Sequence, residues 1–329
     1  AVKYVLNQYQ DAIKDYGEAI RLNPKIAGAY HNRGIARLTI KQYQEAIADF
    51  DQAIIISPQY TVAYYNRGVV RRVLKQYREA IADFDRVIIM NPKDAAAYYN
   101  RGTSKGALRQ YREAIEDFDQ AIIINSQDAE AYHNRGVAKA ALGQYQKAIA
   151  DYEESIHLNP QNAYAYISRG DARQHLGRYR EAVLDYDEAI RISPQYAEVY
   201  FNRGAAKNAL GQYQEAIADY DQVIRLGTQN ARAYKNRGIV KQNHGEYQET
   251  VIDYDEAMSI NSQYAEAYGN RGIVHLCLKK WEEAKRDLAK AKEMGVDVVT
   301  LFRNVYGSLK GFEQKIGLTL PNDIRALIE

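Results

Sequence analysis

The chain has 329 residues, a formal net charge of +2 and 46% hydrophobic residues. Charge this balanced gives no reason to expect a nucleic-acid or anionic-membrane partner, and the longest apolar runs, such as AIII at 121–124, are far too short to span a bilayer. The single Cys277 excludes a disulfide within the chain and fits a reducing compartment, so a cytoplasmic location is expected. Length alone would suggest two or three domains. The sequence opens on Ala1 without a methionine or a recognisable signal peptide, which places the expected true N-terminus upstream.

Taken in chain order, residues 1–26 read as the tail of a repeating unit entered at its ninth position. Eight complete units follow over 27–296, starting at Ala27, Thr61, Ala95, Ala129, Ala163, Ala197, Ala231 and Ala265. A glycine marks position 8 of each, at 34, 68, 102, 136, 170, 204, 238 and 272, always 34 residues apart. Fixed self-similarity at this period predicts one solenoid and removes the prior of several globular domains. Within a unit, positions 3 to 16 read as one helix (AYYNRGVVRRVLKQ) and a second runs from position 18 (REAIADFDRVIIM). Asn-Pro or Ser-Pro usually closes the second, because proline cannot continue a helix.

The unit from Thr61 places Tyr64, Gly68, Tyr77, Ala80, Phe84, Val87 and Pro92 at positions 4, 8, 17, 20, 24, 27 and 32. This pattern resembles the tetratricopeptide repeat (TPR) family over residues 1 to about 296. The resemblance implies an all-α, right-handed superhelical solenoid whose first helices line a concave groove. Gly68 and Ala80 are small enough for close helix approach, and the rings fill space within and between units. Tyrosines at positions 4, 17 and 24 account for 21 of the 29 in the chain as scaffold. A tyrosine can bury its ring and keep its hydroxyl near water, which suits a thin two-layer structure.

Two cationic positions depart from the family pattern, which usually has apolar residues there. Position 7 is arginine in every complete unit, Arg67, Arg101 and Arg135 among them, and position 11 is Arg, Lys or His. Position 23 is aspartate throughout, as at Asp83, Asp117 and Asp151. The guanidinium fork matches a carboxylate, so an internal ion-pair ladder is expected, fixing stacking register more than adding stability. A cationic track for a polyanion is the alternative, and the near one-for-one match of acidic residues weighs against it.

The resemblance implies that positions 2, 5, 6, 9, 12 and 13 face the groove. Position 6 is Asn32, Asn66, Asn100, Asn134, Asn202, Asn236 and Asn270, with Ser168 the one exception. Asparagine is a mediocre helix former, so propensity does not explain its recurrence. Its amide offers the donor and acceptor that a peptide backbone needs. The pattern is similar to the asparagine ladder in the repeat superhelix of the protein N-acetylglucosamine transferase, where it grips peptide backbone. A peptide-binding ladder is therefore expected, against the alternative that these amides bond within the scaffold. Position 5 varies, and His31, Tyr65, Tyr99, His133, Phe201 and Lys235 are the expected specificity residues. The lysine and asparagine pattern with which some TPR proteins clamp the C-terminal carboxylate of chaperones is not supplied by any three consecutive units.

The period ends after Gly295, and residues 297–311 read as one capping helix with Asp297 as its N-cap. Residues 312–329 read either as a second cap with Pro321 at its first turn or, through Glu313, Ile316, Gly317, Leu320, Pro321 and Asp323, as resembling the start of a SUKH-type immunity domain. No catalytic constellation, metal site or cofactor motif emerges. The sequence thus points to a non-catalytic scaffold for a protein or extended peptide. The alternatives are a substrate-presenting arm of a larger enzyme or immunity protein, and a solenoid that self-associates end to end.

Overall fold

The computed structural model describes residues 2–227, 230–317 and 319–328, with only the backbone described for 2–7 and 316. All regular structure among them is α-helical, in two compact bodies, 1–161 and 162–329. The first holds α1 (Val2–Leu22), α2 (Ala27–Thr39), α3 (Tyr43–Ile56), α4 (Thr61–Val73), α5 (Tyr77–Met90), α6 (Ala95–Ala107), α7 (Tyr111–Ile124), α8 (Ala129–Ala141) and α9 (Tyr145–Leu158). The second holds α10 (Ala163–His175), α11 (Tyr179–Ile192), α12 (Ala197–Ala209), α13 (Tyr213–Arg225), α14 (Ala231–His244), α15 (Tyr247–Ile260), α16 (Ala265–Cys277), α17 (Trp281–Glu293), α18 (Val298–Tyr306), α19 (Leu309–Ile316) and α20 (Asn322–Ile328).

Each repeat is a helix hairpin, and within each body every hairpin packs on the next. The turn between the two helices needs a left-handed residue at position 15. Glycine fills it at 143, 177, 211 and 245, while Lys41, Lys75, Arg109 and Lys279 adopt φ of 60–63° there. Position 34 starts the following first helix. Asp94 and Asp128 do so by accepting backbone N–H bonds from Ala97 and Ala131. Close approach of the two helices depends on position 8. A Cβ built on Gly68 would lie 2.9 Å from the Phe84 ring, and one on Gly136 would lie 2.6 Å from the Tyr152 ring. The alanines at position 20 (Ala46, Ala80, Ala114, Ala148) are fully buried beside those rings.

The ends depart from the expected boundaries. Residues 1–26 do not enter as half a hairpin, because α1 runs unbroken through the positions where other repeats turn. Eight positions of a first helix are too few to stand as a separate helix. At the other end the expected cap over 297–311 is two helices. Gly307, at φ 75°, stops α18, and Ser308 caps α19 by accepting from Gly311 N. Phe302, Phe312, Leu320, Ile324 and Ile328 bury themselves with Ile273, Leu276 and Leu288 of the last repeat in one cluster, whereas Val305 is exposed. Within the tail, Glu313 accepts from Leu320 N at 2.7 Å and pairs with Arg325 at 2.6 Å. The side chain of Ile316 lies outside the described residues.

Candidate functional site: the exposed face of the first helices

The constant polar residues build an internal network that repeats within each body. In the Thr61 repeat, Arg67 donates from Nε and Nη2 to Asp83, a buried carboxylate that also accepts from Arg71 at 2.8 Å. The third guanidinium nitrogen, Nη1, pairs with Asp51, at position 25 of the preceding repeat. The same arrangement joins Arg101 to Asp117 and Asp85, both at 2.6 Å, and Arg135 to Asp151 and Asp119, both at 2.6 Å. In the second body it recurs from Arg203 and Arg237 to Asp219 and Asp253, and back to Asp187 and Asp221. Each arginine also lies over the position-4 tyrosine of its own helix, Arg67 at 5.4 Å from the Tyr64 ring centroid. Burial works against the Arg67 charge, but pairing with Asp83 and Asp51 outweighs it and holds the guanidinium above its usual pKa. Position 23 thus closes each hairpin, and position 25 links one hairpin to the next. The acidic residue that recurs two positions after position 23 is the sequence signal of this second link.

Positions 5 and 6 do not stand side by side facing outward. They meet each other across the repeat boundary. Asn66 Nδ2 lies 2.9 Å from His31 Nε2, Asn100 Nδ2 donates to the Tyr65 hydroxyl at 3.1 Å, and Asn134 Nδ2 to the Tyr99 hydroxyl at 2.9 Å. His31 Nδ1 in turn faces Asn32 Oδ1 at 3.2 Å, and burial lowers the His31 pKa, consistent with a neutral ring protonated on Nδ1. Where the preceding position 5 offers no acceptor, the asparagine turns elsewhere. After Ile167, Asn202 donates to Asp171 at 3.0 Å, and after Phe201, Asn236 bonds the Tyr220 hydroxyl. Asn270 is buried and Asn32 is exposed.

The rings at position 5 rest on the position-24 ring of their own repeat. Tyr65 sits 5.9 Å from Phe84, Tyr99 6.1 Å from Phe118, His133 5.6 Å from Tyr152 and Phe201 5.5 Å from Tyr220. Lys235 is paired with Glu266 at 2.8 Å. The residues left exposed on this face are positions 2 and 13 with parts of 9 and 12: Val62, Val73, Ala96, Ala107, Val137 and Ala141 in the first body. In the second body the same face carries Tyr164, which meets Tyr196 edge-on at 5.7 Å, and the half-buried Asp171. Burial raises the Asp171 pKa despite bonds from Tyr186 and Asn202.

The position-24 tyrosines correct a further expectation. Tyr186 and Tyr254 are wholly buried, hydroxyl included, and donate to Asp171 at 2.7 Å and Gln242 at 3.1 Å. A buried hydroxyl needs such a partner, and positions 9 and 12 of the same repeat supply it. Among the described residues no group of three or more His, Cys, Asp or Glu side chains could hold a metal ion, and no helix is long and apolar enough to cross a membrane.

Tetratricopeptide repeat models match residues 61–94, 95–128, 129–162 and 197–227, a further one matches 2–61, and a TPR repeat model matches 170–211. The chain belongs to the tetratricopeptide repeat family, an all-helical repeat fold that serves as a protein-interaction scaffold. A search of the curated proteins finds no match. Among solved structures, YrrB, described as a TPR protein with an unusual peptide-binding site, is 24% identical with a TM-score of 0.50, covering 56% of this chain and 95% of YrrB. A tetratricopeptide repeat protein from Parabacteroides merdae is 19% identical with a TM-score of 0.56, covering 75% and 98%. The C-terminal part of a TPR repeat-containing protein from Cytophaga hutchinsonii is 16% identical with a TM-score of 0.63, covering 73% and 98%. At these identities the likeness is one of fold.

Proposed function

We propose that the chain is a non-catalytic scaffold that holds an extended peptide segment of a partner protein against its first helices. One observation carries this reading. The repeated charges and rings are consumed by the scaffold, while positions 2 and 13 change from repeat to repeat on an exposed face. Variation on a constant frame is what a reading surface requires. The fold likeness to YrrB, a protein with a peptide-binding site, supports the same class of ligand. In the first body the asparagines act in this reading through position 5: Asn66, Asn100 and Asn134 each fix the position-5 side chain of the preceding repeat, and their Oδ1 atoms are left to accept from a peptide N–H.

Selection from a displayed random-heptapeptide library tests this. Enriched peptides should bind wild type and an Ile55→Glu/Ile89→Glu/Ile123→Glu variant, whose changes lie on exposed second-helix positions, with equal affinity. They should lose about tenfold or more, over 1.4 kcal/mol, on Val73→Glu/Ala107→Glu/Ala141→Glu. The opposite pattern, or no enrichment, would refute the reading. A folded Asn66→Ala/Asn100→Ala/Asn134→Ala variant that keeps full affinity would remove the asparagines from it.

A further inference from the structure

Asn270 is the one position-6 asparagine whose side chain bonds nothing among the described residues, and it is 8% exposed. Its counterparts find a hydroxyl, an imidazole or a carboxylate. Here the preceding position 5 is Lys235, which has no acceptor and is held by Glu266 at 2.8 Å. The hydroxyl that takes up Asn236 corresponds to Tyr254, and that one donates to Gln242 at 3.1 Å. A buried amide without a partner costs free energy until a donor or an acceptor reaches it.

The amide lines a cavity of about 450 Å³ bounded by α14, α16 and the cap helix α18. That is within the roughly 300–1,000 Å³ of clefts that hold small ligands. Asn304 of α18 stands 34 residues after Asn270 and lines the same cavity from an exposed position, also with no side-chain bond among the described residues. Position 5 of the last repeat is Gly269, and a Cβ built on it would lie 2.6 Å from Leu301 and 3.7 Å from Val296. The ring found at position 5 in several other repeats is thus replaced by aliphatic side chains that follow α17. Ile239 of α14 and Val305 of α18 extend this wall, and Val305 is 40% exposed. The charges at the rim are already matched. Lys235 pairs with Glu266, and both Asp297 oxygens accept from Thr300, from its N–H at 3.0 Å and its hydroxyl at 2.6 Å. A charged occupant finds no free counter-charge here, so the cavity is complementary to an uncharged one, apolar in its body and with an amide to offer. An apolar residue inside a peptide has both, because a peptide group flanks its side chain on either side.

We propose that this cavity is a subsite for a large apolar side chain, phenylalanine or leucine, of an extended peptide, with Asn270 and Asn304 taking the peptide groups that flank it. An asparagine amide both donates and accepts, which is what a peptide group requires. The inference rests on the peptide-binding reading above and adds to it a second-body subsite, built by the last two repeats and the cap.

The probe is N-acetyl-phenylalanine N-methylamide, one blocked residue with both flanking peptide groups. It is titrated into the full chain carrying isotope-labelled Ile, Leu and Val methyl groups. The signals of Ile239, Leu301 and Val305 should move saturably, with a Kd in the millimolar range expected of so few atoms. The blocked glycine, which lacks the side chain, and the blocked glutamate should leave them in place at equal concentration. Val305→Glu, which puts a charge at an exposed rim position, should weaken the phenylalanine probe about tenfold or more. Asn270→Ala should weaken it about two- to tenfold, the worth of an uncharged hydrogen bond. The same variant should unfold at or above the wild-type temperature, because no intramolecular bond is lost and alanine is the better helix former. An amide with a purely structural part would show the reverse. The first-body variant Val73→Glu/Ala107→Glu/Ala141→Glu should bind the probe like wild type. If the three methyl signals do not move, or if either Val305→Glu or Asn270→Ala binds the probe like wild type, the subsite is refuted, while peptides enriched on the first-body face leave the peptide-binding reading standing. If the library enriches nothing, that reading falls and the subsite with it.

Discussion

At the scale of single residues, whether a change fits depends on what its added atoms meet. Gly68 and Gly106 lie 38 positions apart on corresponding first helices, yet alanine should act oppositely at the two. At Gly68 the new methyl meets Phe84 at 2.9 Å and Asp83 Cβ at 3.2 Å, so overpacking of about 1–3 kcal/mol outweighs a helix-propensity gain of about 1 kcal/mol. At Gly106 only the gain remains. Chemical denaturation should show Gly68→Ala destabilised and Gly106→Ala stabilised by up to about 1 kcal/mol. Asp171 gives a pH-dependent case. Its folded pKa lies above the ordinary carboxylate value, so the native state holds the proton more tightly than the unfolded chain. Its contribution to stability therefore falls as pH rises through that window. Asp171→Asn, which keeps an oxygen to accept from Tyr186 and Asn202, should be increasingly favoured over wild type as pH rises from 3 to 7 in thermal melts, with the difference vanishing at the acid end. Neither residue's environment can be read from one repeat. The role of Gly68 is legible because a ring stands 16 positions later in seven of the eight complete units, whereas burial of Asp171 depends on a hydroxyl, Tyr186, that only some repeats carry.

Between elements, the ion pairs separate into two kinds. Asp83 is 2% exposed and closes its hairpin through two cations, while the Asp85 side chain is 46% exposed and reaches one. Removing Asp83 leaves Arg67 and Arg71 facing a buried void, a loss of about 3–5 kcal/mol. Removing Asp85 should cost under about 1 kcal/mol. Urea unfolding of Asp83→Ala and Asp85→Ala separates the two. The recurrence of Arg at 7 and Asp at 23 made pairing of opposite charges legible from sequence. The pairing of position 5 with position 6 was not, since both look like outward polar residues and meet only when hairpins stack, 35 residues apart. A signal did exist: the asparagine changes partner where position 5 is Ile167 or Phe201, which lack an acceptor. Helix identity was legible along the array, but the unbroken run of α1 from Val2 to Leu22 and the break after Tyr306 were not, because they depend on what each terminal helix finds to pack against.

Across the whole molecule, the last repeat differs from the rest in what covers it. Ile273, Leu276 and Leu288 are buried by α18 to α20, and a Cβ at Gly269 would meet Leu301 at 2.6 Å. Ending the chain at residue 296 exposes that cluster, so sedimentation should show the shortened protein associating in a concentration-dependent way while wild type does not. The interior repeats carry no such individual fitting. Arg67, Arg101 and Arg135 reach back to Asp51, Asp85 and Asp119 through the same atoms at the same 16-residue offset. Within the first body a junction that repeats in this way is indifferent to how many such boundaries there are. Unequal crossing-over between such similar coding segments could therefore add or drop one 34-residue period in the interior and leave every new junction already solved, lengthening or shortening the reading face a step at a time. The same event at the final repeat would separate Gly269 from Leu301, so growth in copy number is confined to the side of the array away from its C-terminal cap.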